Sequence, residues 1–376
     1  MNPLLDQLQP YPFARLREAM HGVNPPEGVT PVSLHIGEPK HPTPEVITNA
    51  LTASLHELEK YPLTAGLPEL RQACADWLQR RYDGLTVNPD TEVLPVLGSR
   101  EALFSFVQAV LNPVSDDLKP VVLSPNPFYQ IYEGAAILGG GEIRFANCPA
   151  PSFKPDWKSI AEDVWQRTKV MFVCSPNNPT GPALTFEEIA GFVADVPDDV
   201  MIIVDEAYID FVTDPAVGDA LTLLGRHPNL VVSRTFSKAH ALAGMRVGYL
   251  VGESGIISAI RSVATPFGVC LPAQAAALAA LEPAALAETA RRAGLVAAER
   301  DRVVAGLRGQ GWAVPETQGN FFWLGVGPAT TALAEHFRSA GILVRPFAGE
   351  GVRVSIGTTS DNERVLAAAA AWRAAH

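Results

Sequence analysis

From about residue 44 the chain alternates between two hydrophobic periodicities. Apolar positions recur at helical spacing over Pro44–Leu58, Pro68–Arg81 and Ser99–Leu111, the last entered through Gly98. Nearly uninterrupted apolar runs of strand length follow at Val121–Ser124, Ile143–Ala146, Val170–Cys174, Met201–Val204, Val231–Arg234 and Val247–Val251. Helical patterns such as Phe186–Val193 lie between several of them. Strands apolar on both faces are covered on both faces, so this alternation predicts an α/β domain built on a mostly parallel sheet. Past Pro272 the texture changes. Ala284–Arg308 is rich in strong helix formers, with its Arg and Glu residues on a solvated face. Phe321–Gly325 and Val352–Ile356 read as strands, and Thr331–Ala340 and Asp361–Ala374 as helices, which predicts a smaller α+β domain. The organisation expected is an N-terminal arm over residues 1–40 that also joins the small domain, a large domain over 41–275 and a small domain over 276–376. The arm rests on Pro10, Pro12, Pro25, Pro26, Pro31 and Pro39, a density that leaves room for few long elements.

Composition narrows the class. With 47% hydrophobic and 18% charged residues, the chain is not a disordered polymer. Its 29 basic against 40 acidic residues give a net charge of −11, which lacks the footprint of a nucleic-acid binder. A few arginines in a cleft still suffice to receive a small anion. A mean hydropathy of +0.11 raises the question of a membrane span. The most apolar stretch, Leu271–Leu281, is about half the ~20 residues a span needs. Met1–Pro12 has no basic start followed by an apolar run, so no secretory signal is expected and the cytoplasm is the default. Cys74, Cys148, Cys174 and Cys270 are scattered and form no CxxC pair, and no histidine pair has ligand spacing, so neither a metal nor a redox centre is expected. Gly139-Gly140-Gly141 lacks the spacing of a nucleotide loop and leads into a strand, which makes it a turn.

Four polar segments carry candidate chemistry. Ser175–Gly181 follows the strand Val170–Cys174, Asp205–Tyr208 follows Met201–Val204, and Thr235–Lys238 follows Val231–Arg234. Gly98-Ser99-Arg100-Glu101 opens a helix. Ligands of open α/β sheets bind beyond the carboxyl ends of strands. A lysine among small hydroxyl residues there is a candidate amine nucleophile. An aspartate ending a buried strand demands a cation, and a pyridinium nitrogen is one. A helix N-terminus at Ser99, with Arg246 eight residues past Lys238, suits a phosphate. Blander readings compete with these: Asp205 as a helix cap, Asn178 as a turn residue, Tyr129 and Tyr61 as core aromatics, and His35 and His240 as packing residues.

Taken in order, His35–Pro39, Tyr61–Pro68, Gly98–Ala102, Asn178–Gly181, Asp205–Tyr208, Ser237-Lys238 through Gly244–Gly248, and Gly351–Val354 resemble the motifs of class I/II, fold-type I, pyridoxal-phosphate-dependent aminotransferases. The resemblance spans residues 35 to 355 and implies pyridoxal 5′-phosphate as cofactor. It implies that Lys238 is the Schiff-base lysine and moves the proton between substrate Cα and cofactor C4′. Asp205 would pair with the ring nitrogen, Asn178 and Tyr208 with the ring's phenolic oxygen, and Tyr129 would stack on the ring. Ser99, Arg100, Thr235, Ser237 and Arg246 would hold the phosphate, and Tyr61 would reach it from the partner subunit of a homodimer. Arg353 and the backbone at Gly37 would hold the substrate α-carboxylate.

Within that family, Asn2–Leu16, Ser124–Ala135 and Gly319–Leu324 are similar to bacterial N-succinyl-diaminopimelate aminotransferases of lysine biosynthesis. That likeness implies amino transfer from glutamate to N-succinyl-2-amino-6-oxopimelate, with Arg345 or Arg100 as a second cation for the distal carboxylate. Aspartate, alanine and histidinol-phosphate aminotransferases are the main alternatives among enzymes, and decarboxylases and C–S lyases share the fold and the Lys238 constellation. A non-catalytic pyridoxal-phosphate effector domain is the alternative of another class, although about 35 residues ahead of the first motif are too few for a DNA-binding module.

Overall fold

The computed structural model describes residues 1–9, 27–112 and 118–376. Its strands, in chain order, are β1 (Val32–Ser33), β2 (Val93–Val96), β3 (Val121–Asn126), β4 (Glu142–Asn147), β5 (Thr168–Cys174), β6 (Met201–Asp205), β7 (Leu230–Thr235), β8 (Gly248–Gly252), β9 (Phe321–Gly325), β10 (Ile342–Leu343), β11 (Arg345–Phe347) and β12 (Gly351–Ser355). The helices that matter below are α1 (Glu45–Ala53), α2 (Pro68–Arg81), α3 (Gly98–Val110), α4 (Ile131–Leu138), α5 (Phe186–Asp195), α6 (Leu271–Ala280), α7 (Pro283–Gly309) and α8 (Thr359–Ala375).

A seven-stranded sheet in the order β2-β8-β7-β6-β5-β3-β4 organises the larger part of the molecule. Only β8 runs against its neighbours, so the α/β reading with a mostly parallel sheet holds. Alternate residues of each strand feed two cores. Met171, Val173, Ile202, Val204 and Val232 pack with α1, α2, α5 and α6, while Phe172, Cys174, Ile203 and Val231 pack with α3, α4 and the helix Ser254–Val263. This two-sided burial is why the strands read as continuous apolar runs. Helix α6 is buried over most of its circumference, which explains the most apolar stretch of the chain as an interior helix. Among the described residues no helix is long and apolar enough to cross a membrane.

A third core joins the antiparallel sheet β11-β12-β9 to α7, α8 and the helix Thr330–Ser339. Leu34 lies in it, and β1 pairs with β10, so the segment after residue 30 packs with the C-terminal part of the chain. Thr185 and Thr358 close capping boxes that start α5 and α8.

The sequence pattern does not reveal β2, α4, α6 as a helix, or the helix Ser254–Val263. Strand β2 contains Pro95 and is an edge strand, where a missing backbone donor costs no ladder bond. The glycine triplet is a turn: Gly139 caps α4 and Gly140, at φ +83°, turns the chain toward β4. Cys74, Cys148 and Cys174 are buried and Cys270 is exposed, all as free thiols. Of the arm, Pro3–Gln7 form a short 3-10 helix. Pro10, Pro12, Pro25, Pro26 and the part of Asn2–Leu16 from residue 10 on lie outside the described residues.

Candidate active site

The parallel strands β2, β3, β5, β6 and β7 end on one edge of the sheet, the edge at which such sheets bind ligands. Because Gly98 follows β2, all four polar segments leave strands, not three of them. Gly98 takes φ +75°, and a Cβ there would lie 2.5 Å from Arg246 Nη2. Glycine therefore both makes the turn into α3 and lets Arg246 approach its first turn. Arg246 adopts a left-handed backbone. It reaches Ser237 Oγ at 3.5 Å and donates to the Ala243 carbonyl at 2.9 Å. Thr235 Oγ1 and Ser237 Oγ lie 2.9 Å apart, and the Ser237 N–H donates to Thr235 Oγ1 at 3.1 Å. A helix N-terminus, a guanidinium and two hydroxyls thus surround one small space, a cradle matched to a tetrahedral oxyanion. Ser99 is half-buried at this turn and Arg100 is exposed beside it.

Next to the cradle, Asp205 ends β6 with 4% exposure. Its Oδ2 accepts from the Tyr132 hydroxyl at 3.0 Å and its Oδ1 from the Ala207 N–H at 3.3 Å. Among the described residues it has no ion-pair partner. Burial pushes its carboxyl up to about 6, against the two hydrogen bonds and the charge of Lys238. Lys238 beside it is half-buried, and its Nζ donates to the Gly37 carbonyl at 2.9 Å. Burial, then the charge of Arg353, push this amine down to about 8, with Arg246 adding to them and Asp205 opposing. A Cβ on Gly37 would sit 3.2 Å from the Tyr208 hydroxyl and 3.4 Å from Lys238 Nζ, so the bare backbone leaves this wall open. Tyr208 is buried with its ring edge-on to Phe321, and burial pushes its hydroxyl up to about 12.

Two arginines from the small sheet close the space. Arg353 is 2% exposed and donates to Asn178 Oδ1 at 2.8 Å and to the His35 carbonyl at 3.0 Å. Its buried Nε has no partner among the described residues. Arg345 lies directly opposite Arg353 in the β11–β12 ladder, so both side chains leave the same face. It is 7% exposed, donates to Gln130 Oε1 at 3.2 Å and lies 5.0 Å above the Phe347 ring. The charge of Arg345 is felt by Tyr129, Tyr208 and His35. Burial, with Lys40, Arg353 and Arg345, pushes the half-buried His35 down to about 4. Tyr129 packs edge-on against Tyr132, whose ring stacks on Phe172 at 4.2 Å.

The structure thus brings together Lys238, Asp205, Tyr208, Asn178, Tyr129, Thr235, Ser237, Arg246, Ser99, Gly37 and Arg353. Tyr61 stands apart at 84% exposure, its ring against the exposed Phe267. His240 is buried against Phe236 as a packing residue. Tyr132, Gln130 and Phe321 belong to the site and do not stand out from sequence.

Comparison with known proteins agrees with this geometry. The family model for aminotransferases of class I and II matches residues 29–369. An aromatic amino acid aminotransferase of Thermobifida fusca is 40% identical over 333 residues, 88% of this chain and 87% of that protein. One from Streptomyces avermitilis is 34% identical over 360 residues, 94% of this chain and 96% of that protein. A crystal structure of an aminotransferase from Neisseria meningitidis superimposes with a TM-score of 0.84 at 46% identity, covering 99% of this chain and 98% of that one. Sequence, fold and site therefore converge: the chain belongs to the class I and II aminotransferases, enzymes whose cofactor is pyridoxal 5′-phosphate.

Proposed function

We propose that this aminotransferase moves an amino group from glutamate to a keto acid bearing a second, remote carboxylate, namely N-succinyl-2-amino-6-oxopimelate. The observation that carries the substrate reading is the pair Arg345 and Arg353, buried and directly opposite each other on one face. Two guanidiniums on one face present a planar fork to each of two separated carboxylates, which suits an anionic substrate of that kind. The likeness of Ser124–Ala135 and Gly319–Leu324 to succinyl-diaminopimelate enzymes supports the same substrate. The names of the relatives favour a second reading, an aromatic keto acid held against Tyr129 and Phe347.

The residues fit the cofactor. The buried Asp205 has no ion-pair partner among the described residues, and the Gly98–Arg246 cradle would be filled by a Cβ. Ser99 and Arg100 through their N–H groups, with Thr235, Ser237 and Arg246, would hold the phosphate. Asp205 would hold a proton on the ring nitrogen, Asn178 and Tyr208 would bond the phenolic oxygen, and Tyr129 would cover the ring. When bound, pyridoxal phosphate supplies an aldehyde for the amine and a ring that accepts the electrons left at Cα. Lys238 Nζ would take and return the proton at substrate Cα, and desolvation lowers its basicity toward neutral pH, where such proton transfer is efficient. Arg353 fixes the α-carboxylate beside Gly37 and so orients the Cα–H bond. Tyr61, exposed with its ring against Phe267, would complete the phosphate site of a partner subunit in a homodimer.

Borohydride treatment followed by peptide mapping tests the lysine. The cofactor should be retained on the peptide holding Lys238 and be absent from Lys238→Ala; retention in that variant overturns the assignment.

A further inference from the structure

Behind the site lies a buried ion cluster that none of these roles uses. Arg234 is 4% exposed and donates from Nε to Glu206 Oε2 at 2.8 Å. Its Nη2 reaches Asp219 Oδ2 at 2.5 Å and the Tyr82 hydroxyl at 3.2 Å. Glu206 also accepts the Ala220 N–H at 2.8 Å, and Asp219 the Leu221 N–H at 3.0 Å. The Tyr82 hydroxyl bonds Asp219 and receives Arg81 Nε at 2.9 Å.

Such a cluster is weakly motivated by stability alone, because well-packed apolar side chains often serve a core as well or better. Its position suggests another task. The β6–β7 ladder ends where Asp205 faces Ser233, and its last bond runs from the Glu206 N–H to the Ser233 carbonyl at 3.0 Å. Glu206 and Arg234 are the next residue on each strand. Asp205 precedes one, and Thr235, Phe236, Ser237 and Lys238 follow the other. The ion pair is therefore a side-chain tie at the point where backbone ties between these two strands stop and the chemical groups begin.

We propose that Arg234 is a positioning residue: by fastening Glu206 across to β7, it holds Asp205 and the Thr235–Lys238 turn in register for the cofactor. Two strand ends joined by a rigid fork keep a fixed spacing between ring-nitrogen partner, amine and phosphate ligands. A lysine at 234 is shorter in its donor set and bridges the two carboxylates less well. The inference rests on the roles proposed for Asp205, Thr235 and Ser237.

Three readouts test it on Arg234→Met, Arg234→Lys and Glu206→Gln, with Asp205→Asn as reference. They are cofactor Kd from titration of cofactor-free protein, the pH midpoint of the bound cofactor's absorbance, and the melting temperature without cofactor. Arg234→Met should raise Kd about tenfold or more, as loss of a buried charge partner does, and should move the midpoint as Asp205→Asn moves it. Arg234→Lys should recover much of the loss yet remain about threefold weaker than wild type. Glu206→Gln keeps an acceptor for Arg234 and should stay nearer wild type than Arg234→Met. If Arg234→Met does not fold, the lysine variant carries the comparison. A fall in melting temperature with Kd and midpoint unchanged in Arg234→Met and Arg234→Lys overturns the proposal. An unchanged midpoint in Asp205→Asn overturns instead the role given to Asp205.

Discussion

Asp205 should make the cofactor-free protein less stable at neutral pH than an asparagine in its place. The carboxyl is buried, receives among the described residues only the Tyr132 hydroxyl and the Ala207 N–H, and is pushed up to about 6. Its ordinary value in an unfolded chain is about 3.9. Between about pH 4 and 6 the folded state holds more proton than the unfolded one, so folding stability falls as pH rises through this window. Above about pH 6 the whole cost is present, and a rise from about 3.9 to about 6 is worth about 3 kcal/mol. The substituted asparagine keeps an acceptor for Tyr132 and carries no charge to desolvate. Asp205→Asn without cofactor should therefore unfold at higher temperature or urea at pH 7, with the advantage shrinking toward pH 4. Saturating pyridoxal phosphate should reverse the order, because its ring nitrogen offers wild type the missing cation. Urea titrations of both proteins at pH 4, 5, 6 and 7, with and without cofactor, are the assay. Equal stability at every pH, or an advantage independent of pH, would refute the reasoning.

Other perturbations probe separate parts of the site. Arg345→Met should lower kcat/KM for the succinylated keto acid by the ~2–5 kcal/mol typical of a lost desolvated charge partner, at least about thirtyfold, and leave pyruvate nearly unaffected; equal losses would remove Arg345 from recognition. Arg353→Lys should weaken every substrate, glutamate included, in steady-state assays, because an ammonium does not reproduce the fork that meets a carboxylate. Gly98→Ala should weaken cofactor binding about tenfold or more in a titration, since it combines a strained φ with an atom placed against Arg246. Mixed Tyr61→Phe and Lys238→Ala protomers should form heterodimers with one native site, and activity recovered on mixing would show it.

Much of this is legible in the sequence because the relevant physics is local. Strands β5, β6 and β7 announce themselves as runs buried on both faces, and each delivers a polar segment at its carboxyl end, which is how Asn178, Asp205 and Lys238 stand out before any geometry. Arg234 gives no such signal, because it lies inside an apolar run and acquires its partners only when β6, Asp219 and Tyr82 are packed around it. Tyr132 is equally silent, as one aromatic among several whose importance comes from a hydroxyl aimed at Asp205 from 73 residues away. Strand β2 is hidden by Pro95, although the turn it delivers at Gly98 is visible. The pairing of Arg345 with Arg353, on which the proposed substrate rests, is written least locally of all, since it arises only through the register of a three-stranded sheet.

The central claim concerns which keto acid that pocket is shaped to receive. The most direct measurement converts the enzyme to its amino form with glutamate and follows single-turnover rates with a panel of acceptors. N-succinyl-2-amino-6-oxopimelate should react with a kcat/KM about tenfold or more above those of phenylpyruvate, oxaloacetate, pyruvate and imidazole-acetol phosphate, the advantage of a second desolvated carboxylate contact. A panel led by phenylpyruvate would contradict the account and assign the pocket to aromatic amino acids.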